Sequence, residues 1–147
     1  MKRLAVCVLI VLLACSFAFA AGGSEKQAGV KEIVIGVFEP LTGENGGGGY
    51  QEVLGMRYAN QVYPTVQING ETYKVRLVEA DNKSDKTEAV TAAQSLISAG
   101  ASVVLGSYGS GVSIAAGDIF ADNKVPAIGA SCTNPQVTLG NDYYFRV

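Results

Sequence analysis

Val103-Val104-Leu105-Gly106-Ser107-Tyr108-Gly109-Ser110-Gly111-Val112-Ser113 is a short apolar run that gives way to small polar residues and then enters a helical pattern. Val112, Ala115, Ala116, Ile119 and Phe120 fall at i, i+3, i+4, i+7 and i+8, which is one apolar face of a helix. A strand without polar alternation is expected to be buried on both faces, as in a parallel sheet. The helix after it must then return over the sheet to the next strand.

The same unit recurs on either side. Upstream, Asp85 with Glu88 three residues later forms a capping box, and Ala89, Ala92, Ala93, Leu96 and Ile97 make an apolar stripe that ends at Gly100. Before it, Val66 to Val78 alternates around Asn69-Gly70, a hairpin signal because both residues tolerate the positive φ of a type I′ turn; the return strand is expected over Tyr73 to Ala80. Earlier still, Ile33-Val34-Ile35-Gly36-Val37 is a buried strand, Pro40 to Gly49 a mobile Gly-rich loop, and Tyr50 to Tyr63 a helix stopped by Pro64. Downstream, Val125 to Ala130 is a fourth strand, and Tyr143 to Val147 begins a further one. Alternating strands and helices place the chain in the α/β class, with a largely parallel, doubly wound sheet.

Composition narrows the function. The 147 residues are 48% apolar and 16% charged, with 11 Lys and Arg, 13 Asp and Glu, and no His. No basic cluster is available to hold a phosphate backbone, so nucleic acid is not an expected partner. Without His the commonest general base and zinc ligand are absent, and no metal or cofactor is expected. Lys2 and Arg3 precede an apolar run from Leu4 to Leu13, the pattern of a secretory signal over residues 1–20, with a small polar tether over 21–30 before order begins at Lys31. Ala18-Phe19-Ala20 is a cleavage site that would release a soluble chain. Leu12-Leu13-Ala14-Cys15 resembles a lipoprotein box that would leave a lipid anchor on Cys15, and an uncleaved anchor is a third reading. Without Lys2 and Arg3, 9 basic residues face 13 acidic ones. Cys132 is then the one ordinary cysteine, and it cannot form an internal disulfide.

Ligands of open parallel sheets bind beyond the carboxyl ends of the strands, and those ends are rich in small polar groups here. They carry Thr42 to Asn45, Asp81 and Asn82, Ser107 to Ser113, and Ser131 to Asn134. The Gly106 to Ser113 loop runs into a helix whose first amides lack intrahelical partners, so a carboxylate or phosphate oxygen is favoured there. Ser110 either contacts that anion or simply caps the helix. Asp81 either faces an ammonium or bonds loop amides. Thr133-Asn134-Pro135 is either part of a ligand wall or a turn. Cys132 has no neighbouring base to lower its pKa and suits a small neutral residue better than a reactive thiol. No register fits G-x-G-x-x-G, no Gly-Lys pair makes a P-loop, and Ser110 has neither the elbow spacing nor a His to serve as a nucleophile.

Taken in order, Ile33 to Gly36, Pro40-Leu41-Thr42-Gly43, Asp81, the Gly106 to Ser113 loop, Ser131-Cys132-Thr133-Asn134-Pro135 and Phe145-Arg146-Val147 resemble the start of the periplasmic branched-chain amino acid (Leu/Ile/Val) binding proteins of ABC importers. The resemblance runs from Lys31 to the end. It implies two α/β lobes that close on a ligand, of which residues 31–147 would be the N-terminal part of the first lobe, a fold of periplasmic binding protein type I. It also implies a noncatalytic role outside the cytoplasm, an amino acid or similar zwitterion as ligand, and a membrane permease as partner. Ser110 and the Thr133 amide would hold the ligand carboxylate, the Ser131 carbonyl and Thr133 hydroxyl would join in holding carboxylate and ammonium, and Tyr108 and Gly109 would line the same wall, with Cys132 also counted among the ligand-binding residues. The chain departs from that family where binders usually offer a large residue, since Gly47, Gly48 and Gly49 stand there with Tyr50 just beyond. A ligand sensor of the same fold, or an exported α/β enzyme with its catalytic groups elsewhere, are the alternatives.

Overall fold

The computed structural model describes residues 31–147. The expected signal sequence, its two exits and the tether lie outside the described residues. The described chain runs β1 (Glu32–Glu39), α1 (Gly46–Val62), β2 (Thr65–Ile68), β3 (Glu71–Asp81), α2 (Lys86–Ser98), β4 (Val103–Leu105), α3 (Ser110–Asp122), β5 (Ala127–Gly129), a 3-10 turn (Pro135–Val137) and β6 (Tyr144–Arg146).

The six strands form one sheet in the order β2-β3-β1-β4-β5-β6. All pairings are parallel except β2 with β3. That exception is the hairpin, where Asn69 and Gly70 take φ of 52° and 80° and Ile68 pairs with Glu71 across the two-residue turn. The return strand extends two residues past the expected start and one past the expected end. The strand expected over Val125 to Ala130 shortens to Ala127–Gly129, and the expected closing run becomes β6, parallel to β5. From β1 the chain first adds β3 on one side and then β4 on the other. The polarity of the winding therefore reverses between β1 and β4, where doubly wound sheets open a crevice.

α2 and α3 pack side by side on one sheet face over Phe38, Val104, Ala89, Ala93, Leu96, Ala116 and Phe120, all buried. Phe120 meets Phe38 and Tyr144 edge to face, with centroids 5.5 and 6.2 Å apart. Asp85 caps α2 by accepting the amides of Thr87 and Glu88 at 2.8 and 3.0 Å. The reciprocal arm of the expected box does not form, because the Glu88 carboxylate pairs with Lys83 at 3.3 Å.

The opposite face is covered by α1, which begins four residues earlier than its apolar pattern suggests. The run Gly46 to Gly49, expected as a mobile loop, is the first turn of this helix. Low intrinsic propensity loses to packing here: a Cβ on Gly49 would collide with Pro40, and one on Gly48 would sit 2.5–2.8 Å from the Tyr108 ring. Arg57 then ties α1 to β3 through two bonds to the Glu79 carboxylate, 2.7 and 2.6 Å.

Candidate functional site

The carboxyl ends of β1, β3, β4 and β5 deliver four loops to one rim, and side-chain bonds tie those loops together. Asp81, at the end of β3, accepts the amides of Leu41, Thr42 and Lys83 and the Thr42 hydroxyl, the last at 2.6 Å. Burial works against its charge, but these donors outweigh it and hold the carboxyl below its ordinary range. Asp81 is thus the structural acid of the two readings. Asn82, fully buried, donates to Ser107 Oγ at 2.9 Å and so joins the β3 and β4 loops. The Ser107 amide donates to Ser113 Oγ at 3.4 Å, and the Ser113 hydroxyl donates to the Gly109 carbonyl at 3.0 Å.

Ser110 does not cap α3. The N-cap is Gly109, and Ser110 is the first helical residue. Its half-buried hydroxyl instead accepts the backbone N–H of Asn134 at 3.1 Å. One hydrogen bond therefore joins the start of α3 to the 131–134 loop. The amides of Ser110, Gly111 and Val112 precede the first i to i−4 bond of the helix, which Ser113 makes to Gly109. They form the positive end of the helix dipole beside that loop.

The 131–134 loop is anchored on three sides. Asn134 accepts the Gln136 amide at 2.9 Å and starts the 3-10 turn, so the turn reading of Thr133-Asn134-Pro135 holds for the backbone. Arg146 of β6 donates to the carbonyls of Cys132 and Thr133 at 3.3 and 2.8 Å. The Ser131 hydroxyl donates to Glu52 of α1. Thr133 remains exposed, and Tyr108 is 41% exposed with its ring over Gly48. Cys132 is the small neutral residue of its two readings, and its place among the expected ligand-binding residues is corrected for the side chain: it is 4% exposed, its sulfur fills the space a Cβ on Gly129 would need, and burial pushes its thiol pKa up. The Asn134 to Ser110 bond thus brings the start of α3, with Tyr108 and Gly109 just before it, against the loop that carries Thr133, while Ser131 turns its hydroxyl to Glu52 and the Cys132 side chain belongs to the core.

Two acids at this rim are not evident from the sequence pattern. Glu39 ends β1 fully buried and accepts the Tyr108 amide at 2.8 Å, and Glu52 holds Ser131. A carboxylate at the carboxyl end of a buried strand, just before Pro40, was the available signal. Among the described residues, no group of three or more His, Cys, Asp or Glu is placed to hold a metal ion. No described helix is long and apolar enough to cross a membrane.

Comparison with known proteins places the chain as a whole. A family model described as periplasmic binding protein matches residues 32–147. A Leu/Ile/Val-binding protein homolog 2 of Brucella abortus is 34% identical over 125 residues, 84% of this chain and 32% of that protein. A leucine binding protein of Thermotoga maritima superposes with a TM-score of 0.72 at 34% identity, over 78% of this chain and 32% of that one. A branched-chain amino acid transporter substrate binding protein of Streptococcus pneumoniae, solved with isoleucine, gives 0.70 at 29% identity, over 79% and 33%. The chain spans about a third of the length of these relatives. With residues 32–147 covered by the family model and the fold shared with solved members, this chain belongs to the periplasmic binding protein family.

Proposed function

We propose that this chain is the N-terminal part of the first lobe of an extracytoplasmic solute-binding component of an ABC importer, and that it binds an amino acid or similar small zwitterion without altering it. The observation that carries the reading is the bond from the Asn134 amide to Ser110 Oγ, which sets the free amides of α3 beside the 131–134 loop. A ligand carboxylate would find the helix amides and the Thr133 amide on one side, with the Ser110 hydroxyl between them. The Thr133 hydroxyl and Ser131 carbonyl are the groups for the ammonium. Charge and hydrogen-bond direction, rather than a nucleophile, supply selectivity.

The relatives support this choice of ligand class. Those from Brucella abortus and Thermotoga maritima are named for leucine or for Leu/Ile/Val, and that from Streptococcus pneumoniae was solved with isoleucine. Delivery to a membrane permease would complete the role. Native mass spectrometry of the full-length protein, followed by identification of the released small molecule, tests the proposal. An amino acid is expected; release of a sugar, or turnover of a bound amino acid, contradicts it.

A further inference from the structure

Glu39 and Glu52 lie side by side behind the mouth, and zwitterion binding as described uses neither. Glu39 closes β1 on the same face as Ile33, Ile35 and Val37, toward α1. Its Oε2 accepts the Tyr108 amide at 2.8 Å, while its Oε1 is buried without a donor. Glu52, on the second turn of α1, accepts the Ser131 hydroxyl with Oε1, and its Oε2 is likewise buried without a donor. Glu39 Oε1 lies against Gly106, and Glu52 lines the same groove wall as Gly106, which brings the two carboxyl groups together.

Two carboxylates in this position would repel and leave two buried acceptors unsatisfied. One proton resolves both defects, since an O–H on Glu39 can donate to the free oxygen of Glu52. We propose that Glu39 and Glu52 share a single proton, and that the resulting O–H···O bond is a strut fixing the Tyr108 backbone relative to Ser131. They are positioning residues for the mouth, a role that rests on the binding reading above. Loss of the proton puts two negative charges against each other and drives the walls apart.

The surroundings favour the protonated strut. Burial first, then the bond to Glu52 and its charge, push the Glu39 pKa up to about 9 against the opposing pull of the Tyr108 amide. The other titratable groups that bear on the pair are the Tyr144 phenol of β6 and the Cys132 thiol, both pushed up by burial and hence neutral. Arg146, the nearby cation, is held by the carbonyls of Cys132 and Thr133. Because the folded pKa lies above the ordinary value of 4.5, the contribution of the strut to stability is complete below about pH 4.5. It declines as pH rises through the interval up to about 9 and is lost above it.

The test uses the full-length protein, its Glu39→Gln and Glu52→Gln variants, and L-isoleucine as probe. Infrared spectroscopy at pH 7 should show a neutral carboxyl band that Glu39→Gln loses and that Glu52→Gln moves in frequency, since burial still holds a proton on Glu39 while its hydrogen-bond partner changes. Glu39→Gln keeps a donor toward Glu52 at every pH, so from pH 7 to pH 10 its isoleucine affinity should fall only with the ligand's own loss of its ammonium proton, while that of the unmodified protein falls by about tenfold or more beyond that shared loss. Should Glu39→Gln not fold, the band in Glu52→Gln carries the test alone: a frequency identical to that of the unmodified protein would overturn the shared proton. Absence of the band at pH 7, or equal pH slopes with and without Glu39, overturns the shared proton. Failure of isoleucine and other amino acids to bind overturns the proposed function instead, and the infrared band still decides the pair.

Discussion

The two faces of the sheet are built from the same kind of strand and packed differently. The face bearing Phe38 and Val104 is closed by α2 and α3, and its side chains are buried. The face bearing Ile33, Ile35, Val75, Leu77, Leu105 and Ile128 has, among the described helices, α1 alone over it and keeps an apolar groove of about 700 Å³. Strands buried on both sides read as continuous apolar runs, so the pattern along each strand does not distinguish the faces. Helix number does: two Ala-rich helices can approach each other and the sheet closely, while one Gly-led helix covers only part of its side. The polar rim sits where the faces meet, with Asn82 and Ser113 tied into the closed side and Glu39 and Glu52 into the open one.

Substitutions on the two faces can break this contrast. Phe120→Ala removes a fully buried ring from between Phe38 and Tyr144 and should destabilise the full-length protein by about 3–5 kcal/mol in chemical denaturation. Leu77→Ala, half-buried beside the groove, should cost about 1–2 kcal/mol, because less area leaves contact with protein. Equal losses would show that both faces are closed in the full-length protein. Asp85→Ala removes two bonds at the N-terminus of α2 and should cost about 1 kcal/mol, with little effect on ligand affinity measured alongside.

Local chemistry made much of this legible in advance. Asn69-Gly70 specified its turn through the φ values it adopts, and Asp85 specified a helix start through its side chain. The Gly46 to Gly49 run misled because helix propensity counts against glycine, whereas contacts with Pro40 and Tyr108 demand it. Ser110 was off by one position: the cap fell on Gly109, and the hydroxyl was freed to reach Asn134. Asp81 answered to its own loop, as short acids near turns commonly do. Glu39 with Glu52, and Asn82 with Ser107, were out of reach because the first depends on how α1 packs on the sheet and the second on the strand order. Cys132 could be read as a neutral residue from its lack of a base, but not as one turned into the core, since that depends on the bare Gly129 beneath it.

The central claim is that the start of α3 and the 131–134 loop form one mouth for the carboxylate of a small zwitterion. Isothermal calorimetry of the full-length protein and its Ser110→Ala variant against leucine, isoleucine, valine and other amino acids tests it most directly. Saturable binding of at least one amino acid is expected, weakened in the variant by about 1–3 kcal/mol through loss of a hydroxyl beside a buried carboxylate. No binding across the panel, or identical affinities with and without the Ser110 hydroxyl, would contradict it.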